Sequence, residues 1–265
     1  MIRSQTADGW ALVNHRDHAI LAGKFAAAWG NEQFARPKPF DPIHYAVIHH
    51  DDGWVARDAL PLLKNGKPEA FSRALVGSYA AFEEIDLPNY LRVRGEATAA
   101  VATRDPYAAV LVSMHTVNLL TEQADPTTIR PEHRTAYHAF VDQQKTWQKE
   151  ISQRLHVPTS ELQRGFEFLQ CCDSLSLIVC SGYDLVRELR HQHPDRNGLR
   201  HTLTCTPHSP STWEISPWPF KAAQLQFLFP YREIPTSRCE SLELYESAFR
   251  SAPTLTRSIN LVSPA

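Results

Sequence analysis

The chain has 265 residues, 43% hydrophobic and 21% charged, ordinary values for a globular protein of one large domain or a domain with an appendage. Lys plus Arg total 27 against 29 for Asp plus Glu, a net charge of −2, so no general electrostatic pull on nucleic acid or anionic lipid is expected. The five cysteines (Cys171, Cys172, Cys180, Cys205 and Cys239) are odd in number and match no zinc or redox spacing. They read as buried free thiols, and with no apolar leader in residues 1–10 and no run of roughly 20 apolar residues, a cytoplasmic protein off the membrane is expected.

Residues 1–15 predict a short strand or hairpin, turned at Asp8-Gly9 before the apolar run from Trp10 to Val13. A helix opens near Asp17 and stops at Gly30, and a second, capped by Asp41 with Pro42 in its first turn, runs to about Asp52. Pro61, Gly66, Pro68 and Pro88 break up 55–104 into loop and one or two short helices. Asp105-Pro106 starts a helix to about 123, another spans roughly 131–155, and the last long helix runs from Ser160 toward His191. After Asn197-Gly198 the stretches 199–206, 213–220, 224–234 and 242–263 predict a small antiparallel sheet of three or four strands, which the N-terminal strand can join. The fold expected is therefore mainly α: a helical bundle over 1–197 and a β-rich appendage over 198–265 packed on it.

Helical periodicity places several ionisable side chains on apolar faces. His18 shares a face with Ala22, Phe25 and Trp29; His50 lies in line with Ile43 and Val47; His115 falls in the stripe of Ala108, Leu111, Val112 and Leu119. Asp173 sits among Phe166, Leu169, Leu177 and Cys180 on a helix that is apolar nearly all round. An inward imidazole serves either as a hydrogen-bonded core residue or as a ligand. A carboxylate buried without a partner costs several kcal/mol, so Asp173 calls for a cation or a donor network. Mixed imidazole and carboxylate donors suit Mn, Fe, Co, Ni, Zn or Mg. Arg187, Arg190 and Arg196, with His191 and His193, form a basic run that either holds a phosphate or completes a helix C-terminus, the second being preferred. Glu83, Glu84 and Asp86 form an acidic cluster read as a solvated face.

The order His18, then the doublet His50-Asp51, then Asp173, each on a different helix, resembles the HD-domain superfamily of helical, metal-dependent proteins, most of them phosphohydrolases. The phrase His50-Asp51-Asp52-Gly53-Trp54 resembles more closely a bacterial domain-of-unknown-function family that shares Asp17-His18-Ala19, Asp105-Pro106-Tyr107, Ser113-Met114-His115 and the run from Asp173 to Leu177. The likeness covers roughly residues 10–180. It implies His18, His50, Asp51 and Asp173 as ligands of a divalent metal ion, one ion in preference to two. It also implies His115 as either a further ligand or a group acting on the scissile phosphate. Two ions would need another histidine, for which His133 and His138 are available.

The activity so implied is hydrolysis of a phosphoester in a small molecule or nucleotide by metal-activated water. Asp52 is the catalytic candidate for accepting the water proton, and His115, as imidazolium, for stabilising developing charge. Trp54 and Tyr107 are candidates for the pocket wall. The rivals are a di-iron oxygenase of the HD type, which needs six protein ligands, and a non-catalytic protein that keeps a metal or ligand. The partner expected is a phosphorylated small molecule; general nucleic-acid binding and membrane association are not expected, and a homo-oligomer is allowed.

Overall fold

In the computed structural model, which describes residues 1–59, 62–71, 87–125, 127 and 129–264, the chain starts with the hairpin β1 (Ile2–Gln5) and β2 (Gly9–Val13). Helices α1 (His15–Ala28) and α2 (Phe40–His49) follow, and a 3-10 turn (Asp52–Trp54) leads into the short α3 (Val55–Asp58). A small hairpin of β3 (Leu63–Lys64) and β4 (Lys67–Pro68) precedes α4 (Leu87–Ala102). Next come α5 (Pro106–Asn118), prolonged by a π-helical turn over Leu119–Gln123, then α6 (Arg134–Leu155) and α7 (Thr159–Ser181). The strands β5 (Arg187–Pro194), β6 (Arg200–Ser209), β7 (Thr212–Ser216) and β8 (Gln224–Pro235) complete most of the sheet, followed by α8 (Leu242–Ser251) and β9 (Leu255–Val262).

Local chemistry explains where the helices start and stop. Asp105 accepts a hydrogen bond from the Ala108 amide with Pro106 in the first turn, and Ser241 caps α8 through the Leu244 amide. Gly182 ends α7 in the left-handed conformation at φ 65°, where a side chain would be strained. Among the described residues no helix is long and apolar enough to cross a membrane.

Strand order in the large sheet is β1-β2-β8-β9-β7-β6-β5, antiparallel except for the parallel pair β7 and β9. The N-terminal hairpin joins through β2, whose Gly9 to Leu12 pair with Pro235 to Arg232 of β8. Helices α1, α2, α5 and α7 pack on one another; α7 also lies against β1 and β5, and α1 against β8. One continuous core links Val47, Leu111 and Leu169 of the helices to Leu203, Trp213 and Ile259 of the sheet. Trp213, Phe220 and Phe229 are buried there, so the C-terminal aromatics serve sheet-on-helix packing.

The expected mainly α architecture with a small appended sheet is overturned. The structure is 52% helix and 24% strand, with a curled, mixed, seven-stranded sheet. Three local features account for the difference. Gly182 stops α7, so Arg187–Pro194 is a strand and not the tail of a long helix. The N-terminal hairpin adds two strands to the edge. Residues 242–251, expected to be extended, form α8, whose Tyr245 and Phe249 are buried four residues apart.

Gly53 is where α4 meets the turn after α2. A Cβ there would stand 2.2 Å from the Val93 carbonyl oxygen and 3.1 Å from Ala97 Cβ. Gly53→Ala must therefore push α4 away, at a cost of about 1–3 kcal/mol typical of overpacking. The expected result is a lower urea midpoint with an unchanged slope. An unaltered midpoint would show that the turn does not bear on α4.

Candidate metal centre

Four helices deliver the site. His18 comes from the inward face of α1, His50 and Asp51 from the end of α2, His115 from α5 and Asp173 from α7. All five side chains are buried. The structure thus brings together the four ligands expected from the sequence, with His115 beside them: its ring centroid is 5.1 Å from that of His50.

A hydrogen bond outside the cluster fixes the tautomer of His50, which donates from Nδ1 to the Val47 carbonyl at 2.8 Å. Ser176 Oγ lies 2.8 Å from the Asp173 carbonyl oxygen and 2.7 Å from His18 Nδ1, and so anchors the His18 ring. A neutral His50 then presents an Nε2 lone pair inward. His18 Nε2 lies 3.0 Å from Asp51 Oδ2, and His50 Nε2 lies 3.3 Å from Asp173 Oδ1 and 3.7 Å from Asp51 Oδ2. The buried His50 lone pair facing the Asp173 carboxylate at this distance requires a positive charge between them: a proton or a metal ion.

The electrostatics agree. Burial opposes charging His50, yet Asp51 and Asp173 raise its pKa to about 9. Burial likewise disfavours the Asp51 carboxylate, but the Arg94 guanidinium, followed by His50, holds its pKa well below the usual carboxylate range. Asp173 is also lowered against burial, through its contact with His50. His115 is pushed down to about 3 by burial and stays neutral, and its buried Nδ1 has no hydrogen-bond partner among the described residues. The sets His18/His50/Asp51 and His50/His115/Asp173 each offer donor atoms within 4.8 Å of one another, and both groups can hold a metal ion.

Other expected residues lie elsewhere. Asp52 turns outward to Arg16 and to His49 Nδ1, the latter at 2.6 Å, and is 28% exposed. It does not line the cavity over the cluster. Trp54 stacks on His15 at 4.5 Å and lies beneath Arg94, while Tyr107 belongs to the main core; neither lines the cavity. His133 bonds to Arg130 and His138 is exposed, so neither joins the centre. The acidic cluster of Glu83, Glu84 and Asp86 falls outside the described residues.

Three contributors escaped the sequence reading. Arg94 of α4, buried, donates to Asp51 Oδ1 at 2.5 Å. Its place in the stripe of Tyr90, Leu91, Ala97, Thr98 and Val101 was the available signal. Ser176, one turn beyond Asp173, orients His18. His15 edges the cluster and is held by Asp58, 3.0 Å from its Nδ1.

A cavity of about 290 Å³ opens above the cluster. Asp51, Arg94, His115 and Asp173 form its buried floor, and β5 contributes Arg187, Arg190 and His191 near its mouth. The basic run expected at a helix C-terminus is thus split. Arg196 bonds to the Asn31 carbonyl and His193 packs on Trp29, away from the cavity.

Helices and a mixed sheet closing on a cavity floored by buried histidines and aspartates define a protein with a candidate cation-binding centre. The model of a family described as "Protein of unknown function (DUF3891)" matches residues 1–236, and the chain belongs to that family. No curated protein and no solved structure matches the chain.

The raised pKa of His50 fixes the sign of a pH effect. An unfolded chain protonates this group near 6.5 and the folded chain near 9. Its stabilising contribution is complete below about pH 6.5 and is lost as pH rises toward 9. Chelator-treated protein is expected to show a falling urea midpoint across that window, and protein loaded with a divalent ion a flat one. Equal midpoints for chelated protein at both ends would refute the His50–carboxylate coupling.

Proposed function

We propose that this chain is a metal-dependent phosphohydrolase acting on a small-molecule or nucleotide phosphoester, as its likeness to the HD-domain superfamily implies. The observation that carries the reading is the pair of buried Nε2 atoms, of His18 and His50, that face the Asp51 and Asp173 carboxylates. These nitrogens and oxygens suit a divalent ion of the Mn, Fe, Co, Ni, Zn or Mg group, the imidazoles favouring the transition metals.

Charge supports one ion over two. Two carboxylates against the Arg94 guanidinium leave the floor with one excess negative charge. A single dication reverses it to one positive charge, which an anionic substrate balances; a second would leave a buried excess without a counter-charge. When bound, the ion lowers the pKa of a water ligand and polarises a phosphoryl oxygen.

The protein groups divide the remaining work. The Val47 carbonyl holds His50 in the required tautomer, and Ser176 orients the His18 ring. Arg94 orients Asp51 and presents positive charge to the cavity. His115, neutral and with Nδ1 unpartnered, serves as a further donor to the centre in place of the imidazolium role first expected. Asp52 points away and takes no part. The di-iron alternative asks for six ligands, whereas five side chains meet here among the described residues, and His15 beside them is engaged by Asp58. The cavity touching Asp51, His115 and Asp173 favours catalysis over a closed structural site.

Elemental analysis of protein purified without chelator is expected to find one divalent ion per chain, absent from His50→Ala and Asp173→Ala. Phosphoester hydrolysis supported by Mn, Mg, Ni or Co should fall in Asp173→Ala by more than the roughly 10–100-fold that loss of a supporting residue costs. A protein with neither retained metal nor phosphoesterase activity would sink the reading. Dioxygen uptake with iron bound would transfer the site to the oxygenase class.

A further inference from the structure

The cavity has a second cationic element that the metal centre does not use. Along β5, whose register with β6 is broken between Glu188 and Gln192, Arg187, Leu189 and His191 are the less exposed residues, whereas Glu188 and Arg190 border the same cavity from exposed positions. Arg190 is committed to Glu122 through its carbonyl and carboxylate. Arg187 has no carboxylate or hydrogen-bond partner among the described residues, although it is only partly exposed. His191 Nε2 is buried and also lacks a hydrogen-bond partner. Both side chains line the cavity whose floor is Asp173 and Arg94.

A half-buried guanidinium and a buried ring nitrogen, both unpartnered and facing one cavity, match the needs of an oxyanion. The guanidinium offers a planar fork of donors, and the imidazole donates when protonated or in the Nε2–H tautomer. Glu188 shares the mouth, but its exposure leaves it screened by water and salt. At about 290 Å³ the cavity lies at the small end of ligand sites, which run to roughly 1,000 Å³. One compact molecule would therefore span from floor to mouth.

We propose that Arg187 and His191 form an oxyanion subsite for a second negatively charged group, phosphate or carboxylate, of a compact substrate whose scissile end meets the floor. This rests on the hydrolase reading for the identity of the scissile end, but the subsite itself is testable without it. The substrate class is then a small phosphoester carrying another anionic group, with the sheet selecting the substrate and the helices acting on it.

The test is calorimetric titration of the purified full-length protein with inorganic phosphate at low ionic strength, with metal content measured on each variant. Arg187→Gln is expected to weaken phosphate binding at least about tenfold with unchanged metal content, and His191→Asn several-fold. Arg187→Lys should recover part of the loss by restoring charge, which separates anion binding from folding damage. Arg190→Gln, whose guanidinium is already engaged by Glu122, should stay within about twofold. Acetate competing with phosphate in the wild type and not in Arg187→Gln would assign a carboxylate as the second group; absence of competition would assign phosphate. Wild-type affinity in Arg187→Gln, or equal losses in Arg187→Gln and Arg190→Gln, would overturn the subsite. Failure of the two readings is distinguishable. An Arg187 effect in a protein without metal leaves the subsite standing alone, and metal-dependent hydrolysis with no Arg187 effect leaves only the hydrolase.

Discussion

Two buried imidazole nitrogens facing two buried carboxylates set the terms for the rest of this structure. Facing acceptors repel, and each buried charge costs several kcal/mol unless it is answered. Arg94 answers part of the negative charge, and the remainder is left for a proton or a bound cation. The outer hydrogen bond of His50 enforces this at one ring. With its Nδ1–H spent on the Val47 carbonyl, a neutral His50 has only a lone pair to turn toward Asp173. The preference for positive charge is built into the packing of α2 and α7 as much as into the ligands themselves.

Division of labour between the layers follows from this. The floor is made by helices and the turn that follows α2, which hold donors from residues 18 to 173 within coordinating distance. The mouth is supplied largely by the first strand after them, which packs on α7 and faces the same space. Gly53 ties the two requirements together: only a residue without a side chain lets α4 come close enough to carry Arg94 to Asp51. The glycine in the phrase around the His-Asp doublet is thus part of the electrostatics, although it carries no charge.

Periodicity made His18, His50, His115 and Asp173 legible, because each sits on a helix whose apolar residues define the buried side. Asp52 was not legible in the same way: just past a helix end, direction is set by the 3-10 turn and not by the 3.6-residue repeat. Arg94 was hidden because Pro88 looked like a breaker, whereas a proline in the first turn of a helix costs no hydrogen bond. The strand β5 was hidden for a different reason. Its inward positions are Arg187, Leu189, His191 and His193, so its alternation is carried by burial and not by hydrophobicity. The extent of the sheet depended on pairings between residues more than 200 positions apart, such as Leu12 with Arg232, which no local window contains.

The position of β9 also governs how such a chain can be made. It lies between β8 and β7, joining the half of the sheet that holds the N-terminal hairpin to the half that holds β5. A ribosome therefore releases every helix of the candidate centre, and even the strand bearing Arg187, before the piece that stitches the two halves together. Until residues 255–262 emerge, β8 and β7 each present an open edge, a natural target for chaperones and a hazard for aggregation. Vectorial synthesis can thus bring the helical floor together before the two halves of the sheet are joined.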